Sequence, residues 1–414
     1  MSIRVLFVSI AFPPKSDPEG LQVAKYFHYL QRYQDLVIDV VTSAIPTINM
    51  PYDTALVRYS GGHDQLINVK LFENRYLNYL INRVGLSKFL FPDLKYSFHF
   101  QSSVVFKKLK NMPDIIYSRS DPKSSGIMAY KLKKKLGVPW IMHLSDPWAD
   151  CPKSRFKGRL YKKHDKWERL CFESANIISF TSLPTINFYK KKYPLLTDKF
   201  RFYPNVYEKS VSSEHKSTDT IPTSKLRIVY TGGLAYDRSA TFFLAPLEKM
   251  YNENPEISNQ LEVIFAGDAD SKNRSVFKNC RLPFVNWIGN VSFDESLKLQ
   301  QSAHYLLAID FPVDEPKDAM FFLSKLLDYM VAGKRILLLT VHGSASHEAV
   351  RDLKSDVCGR NDCHAIEMFL KKALQEHTTG NNSYFMNSTL PEIYEAEYNS
   401  NRLYSDFIEV VRSQ

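Results

Sequence analysis

The sequence predicts an α/β chain with two doubly wound parallel sheets, and three observations carry that expectation. At 414 residues the chain exceeds what a single core usually organises. Apolar runs bounded by turn residues alternate with helical patterns, the signature of βαβ units. One polar, Ser/Thr-rich segment over 210–224, SVSSEHKSTDTIPTS, divides these runs into two sets.

In the first set, Val5–Ser9, Val37–Thr42, Ile115–Ser118, Trp140–Leu144, Ile177–Thr181 and Phe200–Tyr203 read as strands. The second set holds Leu226–Tyr230, Leu261–Ala266, Tyr305–Ile309 and Ile336–Leu339. The expected domains are therefore 1–209 and 225–399, joined by 210–224. The pattern Leu403, Phe407, Val410 and Val411 reads as a closing amphipathic helix over about 400–414. Two such sheets leave a cleft, and ligands of open α/β sheets bind at the carboxyl ends of the strands.

Composition excludes several classes. No run approaches the roughly 18 apolar residues that span a bilayer, and RVLFVSI begins without a cleavable signal pattern, so a cytoplasmic protein is expected. Five cysteines, Cys151, Cys171, Cys280, Cys358 and Cys363, are odd in number and scattered, as reduced thiols would be. Cys358, Cys363 and His364 lack a fourth ligand at zinc spacing, so no metal is expected there. The sequons at Asn381 and Asn387 carry little weight without secretion.

Charge is unevenly placed. Residues 1–210 hold 33 Lys and Arg against 17 Asp and Glu, leaving 21 against 27 for the remainder. The basic residues concentrate in Lys107–Lys110, Lys131–Lys135, Lys153–Lys166 and Lys190–Lys192, interleaved with aromatic rings. That asymmetry implies an anionic partner for the first half. No nucleic-acid-binding motif accompanies it, so nucleic acid is not the expected partner. Lysines mixed with aromatic residues favour an anionic membrane surface, bound peripherally at the inner face, over plain solvated helix faces. The amphipathic stretch Leu71–Phe106 adds apolar material nearby, although a core helix pair explains most of its residues.

Three segments carry candidate chemistry. In MFFLSKLLDYMVAG, Met320–Gly333, Ser324 is placed to cap a short helix whose amides would face an anion. Asp328 would then rise on the same face toward the hydroxyls that the anion carries. Leu326, Leu327, Met330 and Val331 form the buried side, and Gly333 is placed to end the helix in a left-handed turn. An ordinary capped core helix is the alternative. After the first strand, AFPPKSDPEG ends in Gly20, which could let amides approach a phosphate before the next helix. After the strand Leu226–Tyr230, the pair Gly232–Gly233 is followed by Arg238, which can reach a diphosphate. A tight turn with an exposed arginine is the alternative there.

Taken in order, these segments resemble the retaining glycosyltransferases of family four, with the two-Rossmann GT-B fold. FVSIAFPPKSDPEG, PDIIYSRSDP, GVPWIMHLSDPW, SANIISFTS and FRFYPN resemble the acceptor domain. RIVYTGGL, VIFAGDAD, WIGNVSFDESLKLQQSAHYLLAI and SKLLDYMVAGKRIL resemble the donor domain. The resemblance implies that Asp328 holds the ribose of a nucleotide sugar. It also implies that Ser324, Lys325, Gly232 and Gly233 surround the diphosphate, and that Arg238 offsets leaving-group charge. Gly289, Asn290 and Val291 match the loop that meets the nucleobase. His143 and Asp146 fall where relatives face the transferred sugar and acceptor, although a turn aspartate before Pro147 explains Asp146 equally simply. In relatives the last helix crosses back onto the first domain.

The chain departs from the pattern at Met320, where the family's first glutamate would fall, at Asp328 in place of glutamate, and at Arg335 in place of proline. The implied activity is sugar transfer from a nucleotide-diphosphate donor to a glycan or lipid-linked acceptor, without cofactor or metal. Bacterial surface polysaccharide assembly, of lipopolysaccharide or capsule, is the implied setting. A non-catalytic glycan-pathway subunit, motivated by Met320, and a nucleotide-sugar epimerase of the same fold are the alternatives.

Overall fold

The computed structural model describes residues 1–414 except 1, 49, 75, 77–79, 82, 85–89, 153, 155, 210–223, 236–237, 314–318, 354, 381–383 and 385–389. Almost all of the expected linker, both sequons, part of the 71–106 stretch and two basic positions at 153 and 155 therefore lie outside the described residues. The chain forms two compact units, Met1–Val206 with Glu392–Gln414, and Tyr207–Pro391.

Among the described residues the first unit is built on seven parallel strands: β1 (Ile3–Val8), β2 (Leu36–Ser43), β3 (Gln65–Val69), β4 (Ile115–Ser120), β5 (Trp140–Leu144), β6 (Ile177–Phe180) and β7 (Phe200–Phe202). Their order across the sheet is β3-β2-β1-β4-β5-β6-β7. Neighbours in register share a face: Leu6 aligns with Ile116, and Phe7 with Tyr117. Leu6, Val8, Ile116 and Met142 pack into the core on one face. Phe7, Tyr117 and Ile141 pack into the core on the other, with the closing helix Ala396–Arg412. That helix buries Leu403, Phe407 and Val410, sets the Phe407 ring 5.6 Å from Tyr117, and accepts the Tyr203 hydroxyl at Asp406, 2.5 Å away. It begins at 396 rather than about 400, and the unit it belongs to resumes at 392.

Part of the basic charge of this unit is consumed internally. Lys192 places its ammonium 2.6–2.7 Å from Asp150, Asp165 and Glu168. This is the one group of carboxylates among the described residues spaced as if for a metal ion. Glu168, with no exposure, also accepts the Ala149 amide and the Tyr189 and Tyr193 hydroxyls, each at 2.8 Å. A buried carboxylate needs such a full set of donors to stay ionised at modest cost.

The second unit holds β8 (Leu226–Thr231), β9 (Leu261–Ala266), β10 (Val285–Gly289), β11 (Tyr305–Ile309), β12 (Arg335–Leu339) and β13 (Ser355–Cys358), ordered β10-β9-β8-β11-β12-β13. All their pairings are parallel. The order reverses between β8 and β11, as it does between β1 and β4 in the first unit. Such a reversal opens a crevice at the carboxyl ends of the two strands.

Candidate functional site

At the β8–β11 reversal the strand ends are tied to one another through glycine. Gly232, directly after β8, has φ +105°, and Gly267, after β9, has φ +136°. A Cβ on Gly267 would lie 2.3 Å from the Gly232 carbonyl, so only glycine permits this approach. The Gly232 amide donates to Ala266 at 2.7 Å, and the Gly267 amide donates to the Gly289 carbonyl at 2.7 Å. Three successive loops thus form one edge, with Asn290 exposed at its end.

The helix Lys325–Ala332 approaches this edge and is fixed by Tyr329. The Tyr329 hydroxyl receives the Thr231 amide at 2.9 Å and donates to the Leu307 carbonyl at 3.1 Å. One phenol therefore joins the helix to β8 and β11 at the point where they part. The helix ends at Gly333 in the left-handed conformation, as its sequence implies.

Lys325 is the focus of the site. Its Nζ lies 3.6 Å from the centroid of the buried Tyr230 ring and 3.1 Å from where a Cβ on Gly232 would sit. That nitrogen is shielded from solvent and has no hydrogen-bond partner among the described residues. Burial and the neighbouring Arg238 push its pKa well below the usual lysine range, against the pull of Asp310 and Asp328. Arg238 is held by its carbonyl, which accepts from the fully buried Asn273 at 2.8 Å. Tyr230, whose hydroxyl donates to Gly233 at 2.9 Å, is pushed up to about 12 by burial despite that arginine.

Asp310 completes the group and was not among the residues singled out from the sequence. It follows β11 directly, which was the available signal, since polar residues after strands of such sheets face the crevice. Its carboxylate accepts Thr340 Oγ1 at 2.9 Å and the Phe311 amide at 2.8 Å, and burial raises its pKa. Gly267, likewise passed over, carries the closest backbone approach of the site.

The structure brings Gly232, Gly233, Arg238, Lys325 and Asp328 together and corrects the reading of Ser324. That residue has helical φ −56° and ψ −30°, and its side chain makes no cap hydrogen bond. A capping side chain must leave the helix in extended conformation to reach the N2 or N3 amide, and Ser324 is already wound into the preceding turn. Its carbonyl accepts the Leu327 amide at 3.1 Å, and the cationic Lys325 side chain, rather than a serine cap, is the feature at this helix start. Met320 is buried.

Three further candidates lie in the first unit. The Gly20 amide is already bound by Asp17 Oδ1 at 2.7 Å, in the N-cap of the helix Pro18–Leu30. A Cβ there would lie 2.2 Å from the Lys15 carbonyl, so glycine serves a tight turn and its amide does not point to a phosphate. His143 is wholly buried on β5 with Nδ1 3.0 Å from Ser179 Oγ, and burial beside Arg119 and Lys123 keeps it neutral. Asp146 is half-buried, and its carbonyl accepts Lys123 Nζ at 2.8 Å.

Sheet order, chain coverage and strand-end loops together decide the architecture. The fold is GT-B. The trehalose 6-phosphate synthase of Burkholderia multivorans matches with TM-score 0.67 at 11% identity, over 100% of this chain and 98% of that one. The HepE protein of Anabaena, solved in complex with UDP-glucose, matches with TM-score 0.59 at 12% identity over the whole of both chains. The UDP-GlcNAc 2-epimerase of Methanocaldococcus jannaschii matches with TM-score 0.54 at 11% identity, over 99% and 100%. No family model and no curated sequence matches the chain. At these identities the likeness establishes the GT-B fold alone. Among the described residues, no helix is long and apolar enough to cross a membrane.

Proposed function

We propose that the protein is a glycosyltransferase that takes a sugar from a nucleotide-diphosphate donor bound at the β8–β11 reversal of the second unit. The observation that carries this reading is the Lys325 ammonium, shielded and without a hydrogen-bond partner, held against the Gly232 turn beside Arg238. A buried cation without a partner is costly, and a diphosphate would supply the missing charge and hydrogen bonds. As the sugar–phosphate bond breaks, negative charge grows on the leaving diphosphate. Cations already fixed in a low-dielectric site stabilise that charge without reorganising. Asp328, one turn along the same helix, would accept ribose hydroxyls in this reading.

The family-four resemblance extends this to transfer with retention, without metal, onto a glycan or lipid-linked acceptor of surface polysaccharide, with His143 and Asp146 on the acceptor side. The likeness to proteins named as a synthase and as a UDP-glucose complex supports a nucleotide-sugar donor. An epimerase is the second reading, favoured by the fold match to a UDP-GlcNAc 2-epimerase.

Nucleoside diphosphates should raise the melting temperature of the wild-type protein, because a ligand of the folded state stabilises it. Lys325→Ala and Arg238→Ala should abolish both this shift and sugar transfer. Product formed from donor alone would replace the transferase by the epimerase. Tight nucleotide binding without turnover on any acceptor would leave the non-catalytic subunit.

A further inference from the structure

The ring of Tyr230 touches the groups of the β8–β11 reversal that could answer an anion, yet it is itself closed to one. It is the penultimate residue of β8 and only 1% exposed. Phe265 of β9 stands beside it in register, with the two ring centroids 5.6 Å apart. Core packing therefore fixes where the ring lies.

Polar groups of the site take their places from it. Lys325 reaches its face, with Nζ 3.6 Å from the centroid, and the same amino group makes no hydrogen bond among the described residues. The face of an aromatic ring carries partial negative charge and attracts an ammonium. Room for this arrangement comes from Gly232, where a Cβ would stand 3.1 Å from Nζ and 3.3 Å from Cε of the lysine.

At the ring's rim, the hydroxyl donates to the Gly233 carbonyl at 2.9 Å. A carbonyl oxygen left unbonded at this turn would oppose an anion, and its bond to the phenol settles its direction. Burial raises the pKa of that hydroxyl and Arg238 pulls it down, so the guanidinium acts on the phenol as well. Tyr329 ties the helix backbone to the strands, whereas Tyr230 acts at the far end of the lysine's long flexible stem. A side chain seated beforehand loses less freedom when a ligand arrives.

We propose that Tyr230 is a positioning residue of the donor site: its face seats the Lys325 amino group and its hydroxyl sets the Gly232–Gly233 turn, so both stand ready before a diphosphate arrives. It acts through these groups and does not touch the donor. This role rests on the donor-site reading above, and deepens it by saying what holds the lysine in place. Groups fixed in advance stabilise the leaving charge without reorganising.

The test separates the charge of the ring from its shape. In the full-length protein, Tyr230→Phe is followed by replacement of Tyr230 with difluoro-, trifluoro- and pentafluorophenylalanine, which withdraw charge from the ring face and nearly keep its volume. Melting with UDP, GDP, ADP, CDP and dTDP selects the diphosphate that stabilises wild type most, and calorimetry then gives its affinity for each variant. Tyr230→Phe should weaken binding about threefold, through the lost bond to Gly233. Fluorination should weaken it stepwise from there, by about tenfold in all at the pentafluoro ring. The melting temperature without ligand should stay level along the fluorinated series.

Equal affinity across that series, in a protein that binds the diphosphate, overturns the role and leaves the donor reading intact. Losses that track the unliganded melting temperature instead of the fluorine count also overturn it, since a merely structural ring would behave so. If wild type binds none of the five diphosphates, the donor reading falls and takes this role with it.

Discussion

The two units share the strand order 3-2-1-4-5-6 and each places a buried cation beside the strand reversal, yet they treat that cation oppositely. In the first unit Arg119 on β4 has no exposure, donates through Nε to Glu19 at 3.0 Å and lies over the Tyr26 ring. Glu19 in turn accepts the Ser145 hydroxyl, so an ion pair answers the charge within the fold, although Nη1 and Nη2 of Arg119 are buried without a hydrogen-bond partner among the described residues. In the second unit Lys325 lies over Tyr230 with no hydrogen bond to its ammonium among the described residues. Topology supplies the same location twice. In the proposed reading, the ion pair with Glu19 makes Arg119 a structural lock, whereas Lys325, without a hydrogen-bond partner among the described residues, is left to receive an anion.

Removing that carboxylate gives the largest expected effect. Glu19→Ala strands a buried guanidinium and should cost about 3–5 kcal/mol in urea denaturation. Lys325→Met removes a desolvated amine that makes no hydrogen bond among the described residues and should leave stability unchanged or slightly raised while abolishing nucleotide binding. Equal destabilisation by the two would erase the contrast between the units. Next in size, Gly267→Ala forces a Cβ against the Gly232 carbonyl at φ +136° and should cost more than about 2 kcal/mol, distorting the receptor edge.

Tyr329→Phe deletes the bonds to Thr231 and Leu307 and should cost about 1–2 kcal/mol. Nucleoside diphosphate affinity, measured by calorimetry, should fall with it, since the helix start loses its anchor. The smallest effect concerns pH and belongs to the sealed unit. His164 accepts the Trp148 indole at 3.0 Å, and burial, then Lys163 and Lys123, lower its pKa from 6.5 to about 4. The unfolded chain therefore binds a proton that the folded chain refuses between these values, and stability must fall as pH drops through that window. After allowance for partial screening the loss is about 1–2 kcal/mol, and His164→Gln should remove it when melting is compared at neutral and acidic pH.

Ten of the thirteen strands among the described residues were legible as apolar runs, and the three that were missed share a position. β3, β10 and β13 are edge strands with partly exposed residues, as in Gln65, Leu66 and Asn68 or in Asn286 and Ile288. A strand flanked on both sides and covered on both faces must be continuously apolar, whereas an edge strand need not be. The site divides similarly. Paired glycines after a strand and a lysine at a helix start are local signals, so Gly232, Gly233 and Lys325 could be found. The Gly267 approach to Gly232 and the Asp310 contacts to Thr340 depend on strands brought side by side by crossovers, and no local pattern announces them. Ser324 misled because serine before a helical pattern resembles a cap, while the turn that precedes it was already wound.

The phenol of Tyr329 has a mechanical consequence. Since it is bolted to Thr231 on one strand and Leu307 on the next, the distance between Lys325 and the Gly232 turn behaves as the fixed gap of a caliper. Guests of different length would be gauged at their far end, and chemical variety in what this protein accepts should reside in the loops beyond the jaw rather than in the jaw itself.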